Sequence, residues 1–122
     1  MILVDSSGWI EYLAARPRAG DFARYIEGDE PLLCSVIQVY EIYKVIRRDF
    51  SEERAIEAVA ALRAATVEGV DESLALEAAD LSLEHRLAMA DAIIFATAAR
   101  HRAEIVTLDA DFEGLPGATV IR

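Results

Sequence analysis

A chain of 122 residues with 54% hydrophobic content and positive mean hydropathy is long enough for one real core and too apolar to be disordered. Its net charge of −10 excludes a broad basic face of the kind that binds nucleic acid through phosphates alone. Charges break the longest apolar runs, so no transmembrane span is expected, and Met1 leads into a strand-like run without the basic region of a signal peptide.

Met1 to Val4 reads as a buried strand. Ser7 to Ala14 reads as a short helix ending near Pro17, and Gly20 to Glu27 as another. Leu32 to Cys34 is a short second strand, and the lone Cys34 within it reads as a buried structural thiol suited to a reducing cytoplasm. Ser35-x-x-Gln38 has the form of a capping box opening a helix to about Arg48. Ser51-Glu52-Glu53 caps the next helix, which reaches about Ala65. Thr66 to Val70 is a third strand. Asp71 begins a helix to about His85, and Asp91 sits in the first turn of one ending near Arg102. Ile105 to Leu108 and Ala118 to Ile121 are the last strands. No repeat, low-complexity tract or linker interrupts the chain, so residues 1–122 read as a single domain. Strands alternating with helices predict an α/β fold with a mainly parallel sheet.

Four lone carboxylates interrupt apolar stretches. Asp5 follows Ile2-Leu3-Val4; Glu41 is the only charge between Leu32 and Tyr43; Asp91 is the only charge between Leu87 and Ala99; Asp109 follows Ile105-Val106-Thr107-Leu108. Burying an unpaired carboxylate is costly, so four such positions suggest one gathered site. In open α/β sheets a site lies outside the carboxyl ends of the strands, which all four acids can reach. Clustered carboxylates need a cation, and all-oxygen donors favour Mg²⁺ or Mn²⁺.

In this order and spacing the motifs resemble the PIN domain, and most closely a VapC-type toxin ribonuclease of a VapBC-like toxin–antitoxin pair. The resemblance rests on Ile2-Leu3-Val4-Asp5-Ser6-Ser7, Val39-Tyr40-Glu41-Ile42, Ala90-Asp91-Ala92-Ile93-Ile94 and Val106-Thr107-Leu108-Asp109-Ala110-Asp111-Phe112, and it covers essentially the whole chain. It implies a three-layer α/β/α sandwich with a parallel sheet ordered 3-2-1-4-5. It also implies Mg²⁺- or Mn²⁺-dependent hydrolysis of RNA phosphodiesters, homodimerisation, and inhibition by a small antitoxin.

Under that reading Asp5, Glu41, Asp91 and Asp109 are the catalytic acids. The short Asp5, Asp91 and Asp109 hold a metal or its water shell, while the longer Glu41 acts as an outer ligand or orients water. Ser6 and Thr107 hydrogen-bond the acids. Asp111 is either a supporting or substitute acid or a turn residue or helix N-cap before Phe112. Arg47, Arg48 and Arg86 are candidate phosphate contacts; solvated helix ends are the plainer reading. Plainer readings exist for the acids too. Asp5 and Asp91 could serve as helix N-caps or first-turn acids, and Glu41 could pair with Lys44 or Arg48. His85 and His101 fall near helix C-termini, where a cation is favoured without any catalytic role. Trp9, Tyr12 and Tyr40 belong to a core, a dimer contact or an antitoxin groove. The acidity of the chain suits a basic antitoxin segment.

A haloacid-dehalogenase-like phosphatase would carry a second Asp where Ser7 stands and a later lysine. A receiver-type signalling module would carry an acidic pair at Asp5-Ser6 and a lysine after its fifth strand; the only lysine here is Lys44. A free-standing PIN nuclease without an antitoxin is the nearer alternative, and a PIN domain that only binds a partner is disfavoured by the full set of acids.

Overall fold

The structure is a computed structural model describing residues 1–122. Its elements are β1 (Ile2–Val4), α1 (Ser6–Leu13), α2 (Ala19–Ile26), β2 (Leu32–Ser35), α3 (Val36–Asp49), α4 (Glu52–Leu62), β3 (Thr66–Glu68), α5 (Glu72–His85), α6 (Met89–His101), β4 (Glu104–Thr107) and β5 (Ala118–Val120). A single 3-10 turn, Ala110–Phe112, lies between β4 and β5. The five strands form one parallel sheet in the order β3-β2-β1-β4-β5, as the family resemblance implies.

Side chains on a strand alternate between faces, and this alternation divides the core in two. Ile2 and Val4 of β1 join Leu32, Cys34 and Val106 in a layer with Trp9, Phe22, Ile42 and Ile46. Leu3 faces the other way and joins Leu33 and Ile105 in a layer with Leu74, Ile94, Phe95 and Phe112. Helices α1 to α4 therefore cover one face, and α5 and α6 the other. Cys34 is fully buried and desolvation pushes its thiol up to about 12, which fits a structural residue. Trp9 is likewise core, at 1% exposure.

The helix starts follow their capping chemistry. Ser35 Oγ accepts from the Ile37 N–H while Gln38 Oε1 accepts from the Ser35 N–H, completing the capping box. Ser51 and Asp71 cap α4 and α5 by accepting from the Arg54 and Leu74 N–H groups. The α4 helix stops at Leu62, short of the expected Ala65, and three turn hydrogen bonds at Arg63, Ala64 and Ala65 carry the chain into β3. Helix α6 is buried on nearly every side from Ala92 to Ala98. Its polar Thr97 returns its hydroxyl hydrogen to the Ile93 carbonyl, 2.7 Å away.

Helix α1 approaches β1 and α2 so closely that position 8 admits no side chain. A Cβ on Gly8 would lie 2.5 Å from two ring carbons of Phe22 and 2.8 Å from Val4 Cγ1. Gly8→Ala should lower stability by about 1–3 kcal/mol through overpacking. Gly20→Ala, where nothing lies within 4 Å, should leave stability unchanged or raise it by up to about 1 kcal/mol. Urea midpoints for the two variants decide this, and equal midpoints would show that the α1 contact is not tight.

Candidate metal centre

Asp5 leaves the carboxyl end of β1 at the N-cap position of α1, yet its side chain makes no cap bond. Its carboxylate instead accepts from Thr107 Oγ1 at 2.6 Å and Ser7 Oγ at 3.1 Å. The same two hydroxyls accept in turn from the backbone of the next loop, Thr107 from the Asp109 N–H at 2.9 Å and Ser7 from the Leu108 N–H at 3.1 Å. Each hydroxyl has one hydrogen, and both are committed to Asp5. The 3.3 Å approach of Ser7 and Thr107 therefore adds no further bond. This web ties the end of β1 to the end of β4.

Glu41 approaches from the second turn of α3, where Ser6 Oγ donates to its Oε1 at 2.7 Å. The alternative helix-surface pairs do not form: Lys44 lies over the Tyr40 ring and Arg48 pairs with Asp49. Asp91 stands in the first turn of α6 and Asp109 follows β4. Asp109 Oδ1 accepts from the Asp111 N–H at 2.8 Å, so Asp109, rather than Asp111, caps the 3-10 turn. That turn leaves Asp111 exposed and free of a capping bond. Carboxylate oxygens of Asp91, Asp109 and Asp111 lie within 4.8 Å of one another.

The electrostatics follow from this crowding. Desolvation, and then the charges of Asp109, Asp5, Glu41 and Asp111, push Asp91 up to about 7. Burial also raises Asp5, opposed by its hydrogen bonds to Thr107, the Ser6 backbone and Ser7. Glu41 is raised by burial, with the Ser6 bond acting against it and Asp5 adding to it. The charges that raise Asp91 are all acids, and none of the five carboxylates forms an ion pair with a basic side chain. Three carboxylates close enough to share one ion, with two more beside them, fit a hard divalent cation.

The PIN domain family matches residues 2–118. The chain belongs to the PIN-domain family. Among solved structures it is similar to a toxin–antitoxin complex from Klebsiella pneumoniae, at 27% identity and TM-score 0.81, over 98% of this chain and 97% of that one. It shares its fold with the sarcin–ricin loop-cleaving toxin VapC20 of Mycobacterium tuberculosis, at 23% identity and TM-score 0.80, over 96% of each chain. The FitAcB structure of Neisseria gonorrhoeae shares it too, at 20% identity and TM-score 0.74, over 99% and 97% of the two chains. Among curated proteins none matches in sequence.

Within this PIN domain all four expected acids reach one edge of the sheet, and the closest group differs in membership from the expected one. The sequence pattern points to Asp5, Asp91 and Asp109 as the ligand set; the structure gathers Asp91, Asp109 and Asp111 within 4.8 Å of one another, while Asp5 bonds Thr107 and Ser7. The expected hydroxyl roles divide between two acids, Thr107 on Asp5 and Ser6 on Glu41. Ser7 was not anticipated as a site residue. Its only signal was its place in Asp5-Ser6-Ser7, where successive helix positions turn the two hydroxyls to different acids.

Arg47 and Arg48 do not join the acids. They lie in the last turn of α3, about 9 Å along its axis beyond Glu41, because α3 runs away from the edge where it starts. They line a groove of about 960 Å³ between α3 and α4, with Val36, Val39, Tyr40, Lys44, Ile56 and Arg63 among its walls. Arg86 is exposed in the left-handed turn that ends α5, five residues before Asp91. His85 packs edge-on against Phe95 and His101 pairs with Glu68 at 3.1 Å, so both histidines are accounted for structurally.

The raised Asp91 gives a pH signature. Its folded value of about 7 lies above its ordinary 3.8, so the metal-free fold favours the neutral carboxyl. Below that ordinary value both states are protonated and Asp91 costs nothing. Between about pH 4 and 7 the unfolded chain ionises first and stability falls; above 7 the loss is complete. In chelator the wild-type Tm should fall across this window, and Asp91→Asn should flatten the fall and be the more stable protein at pH 8. Parallel Tm–pH curves for the two would show that Asp91 is not under strain.

Proposed function

We propose that this protein is a divalent-metal-dependent endoribonuclease acting as the toxin of a toxin–antitoxin pair. The observation that carries the reading is the group of Asp91, Asp109 and Asp111 with Asp5 and Glu41 beside it, none of them in an ion pair. A bound Mg²⁺ or Mn²⁺ would supply a water of lowered pKa and offset charge on the phosphate. Asp91, Asp109 and Asp111 would hold the ion. Asp5, fixed through one oxygen by Thr107 and Ser7, would hold the ion or its water shell. Glu41 has Oε1 engaged by Ser6 and Oε2 without a hydrogen bond, so it can orient the attacking water and take its proton. Arg86, on the connection leading to Asp91, is a candidate for a phosphate contact near the acids, and Arg47 and Arg48 for contacts farther along the RNA.

The Klebsiella pneumoniae relative is a toxin–antitoxin complex, which supports a small protein partner for this chain. Two surfaces suit one. The acid cluster attracts a basic segment, which would compete with the metal or the RNA phosphate. The α3–α4 groove has an apolar floor and a rim of Lys44, Arg47, Arg48 and Arg63, which suits an amphipathic helix with acidic flanks. Tyr40, 63% exposed, lies in that groove, whereas Trp9 is unavailable to any partner. A homodimer and a cytoplasmic location complete the proposal; no helix is long and apolar enough to cross a membrane.

Purified protein should cleave RNA with Mg²⁺ or Mn²⁺ and stop in EDTA. Asp5→Asn, Asp91→Asn and Asp109→Asn should each lower kcat by about 10²-fold or more while circular dichroism stays native. Asp111→Asn should lower it as well, by a smaller factor than Asp91→Asn. Cleavage undiminished by EDTA would defeat the metal mechanism, and a wild-type rate from any one variant would remove that residue from the site.

A further inference from the structure

Gln38 does more than close the capping box of α3. Its side chain is fully buried, with Oε1 accepting from the Ser35 N–H at 3.0 Å and Nε2 donating to the Val4 carbonyl at 2.7 Å. The register of β1 and β2 gives these two partners a meaning. Ile2 pairs with Leu32 and Leu3 with Leu33, and the Ile2 N–H bonds the Pro31 carbonyl. Continued by two residues, this pattern would send the Ser35 N–H directly to the Val4 carbonyl. The ladder instead ends at Leu3–Leu33, although β2 continues its pairing with β3 as far as Ser35–Glu68. The Gln38 amide is interposed between the donor and acceptor of the missing rung. It satisfies both groups, so neither pays for burial, and it holds the two strand ends one amide apart.

What lies beyond that opening is the site. Val4 precedes Asp5 and Ser6, and Glu41 is one helical turn after Gln38. We propose that Gln38 is a positioning residue, a wedge at the carboxyl ends of β1 and β2 that sets the separation between Asp5 with Ser6 on one side and Glu41 on the other. The proposal rests on the metal-nuclease reading for its effect on activity, and on the strand register alone for its geometry.

The decisive variant is Gln38→Ala, which removes the wedge, compared with Ile46→Ala, a buried residue later on the same helix. In the crystal structure of Gln38→Ala we expect the Ser35 N–H to bond the Val4 carbonyl directly and the Ser6–Glu41 hydrogen bond to break. Calorimetric titration with MnCl₂ should show affinity about tenfold weaker than wild type, and RNA cleavage should lose kcat with KM kept. Ile46→Ala should lower Tm while keeping Mn²⁺ affinity and kcat. A Gln38→Ala structure with the ladder still parted and Ser6 still bonded to Glu41 would overturn the proposal, as would equal losses of affinity in the two variants. If the wild-type protein neither binds Mn²⁺ nor cleaves RNA, the nuclease reading fails and the crystal structure alone decides the role of Gln38.

Discussion

Mutual repulsion among carboxylates at one sheet edge is the constraint around which this PIN domain is organised. A short parallel sheet brings β1 and β4 side by side, and the acids that follow them arrive together whether or not their charges favour it. Like charges in a partly desolvated site raise each other's pKa. Desolvation first, and then the charges of its acid neighbours, push Asp91 up to about 7. Neutral hydroxyls hold the buried members in place. Thr107 and Ser7 fasten Asp5, and Ser6 fastens Glu41, without adding a positive charge that would neutralise the site. A lysine or arginine in their place would form an internal ion pair with these acids.

Much of this was legible in the sequence, for identifiable physical reasons. The alternation of faces in Ile2-Leu3-Val4 and the caps at Ser35, Ser51 and Asp71 are local, so spacing alone reveals them. The four lone acids were conspicuous because each interrupts an apolar run. The strand order came from family resemblance, and the parallel pairing bears it out.

The parts that were not legible depend on distances between segments far apart in sequence. The sequence leaves open which acid caps the segment before Phe112; the 3-10 turn gives that bond to Asp109, with Asp111 inside the turn. The partition of Ser6 to Glu41 and Ser7 to Asp5 depends on how α1 sits between α3 and β4, which no local pattern encodes. Arg47 and Arg48 carried the charge expected of phosphate contacts, but the direction of α3 takes them away from the acids. Gln38 was legible as half of a capping box; its second bond, to Val4, crosses 34 positions of the chain.

A chain with net charge −10 gathers acids at a sheet edge and places Lys44, Arg47, Arg48 and Arg63 along the α3–α4 groove. The edge is suited to a cation and the groove to a partner. The central claim is that the acids exist to hold a divalent ion, and anomalous diffraction from a crystal equilibrated with Mn²⁺ tests it most directly. The account predicts an anomalous peak about 2.0–2.2 Å from carboxylate oxygens among Asp91, Asp109 and Asp111, lost in crystals of Asp91→Asn. A saturating Mn²⁺ soak that leaves this edge without a peak would contradict it.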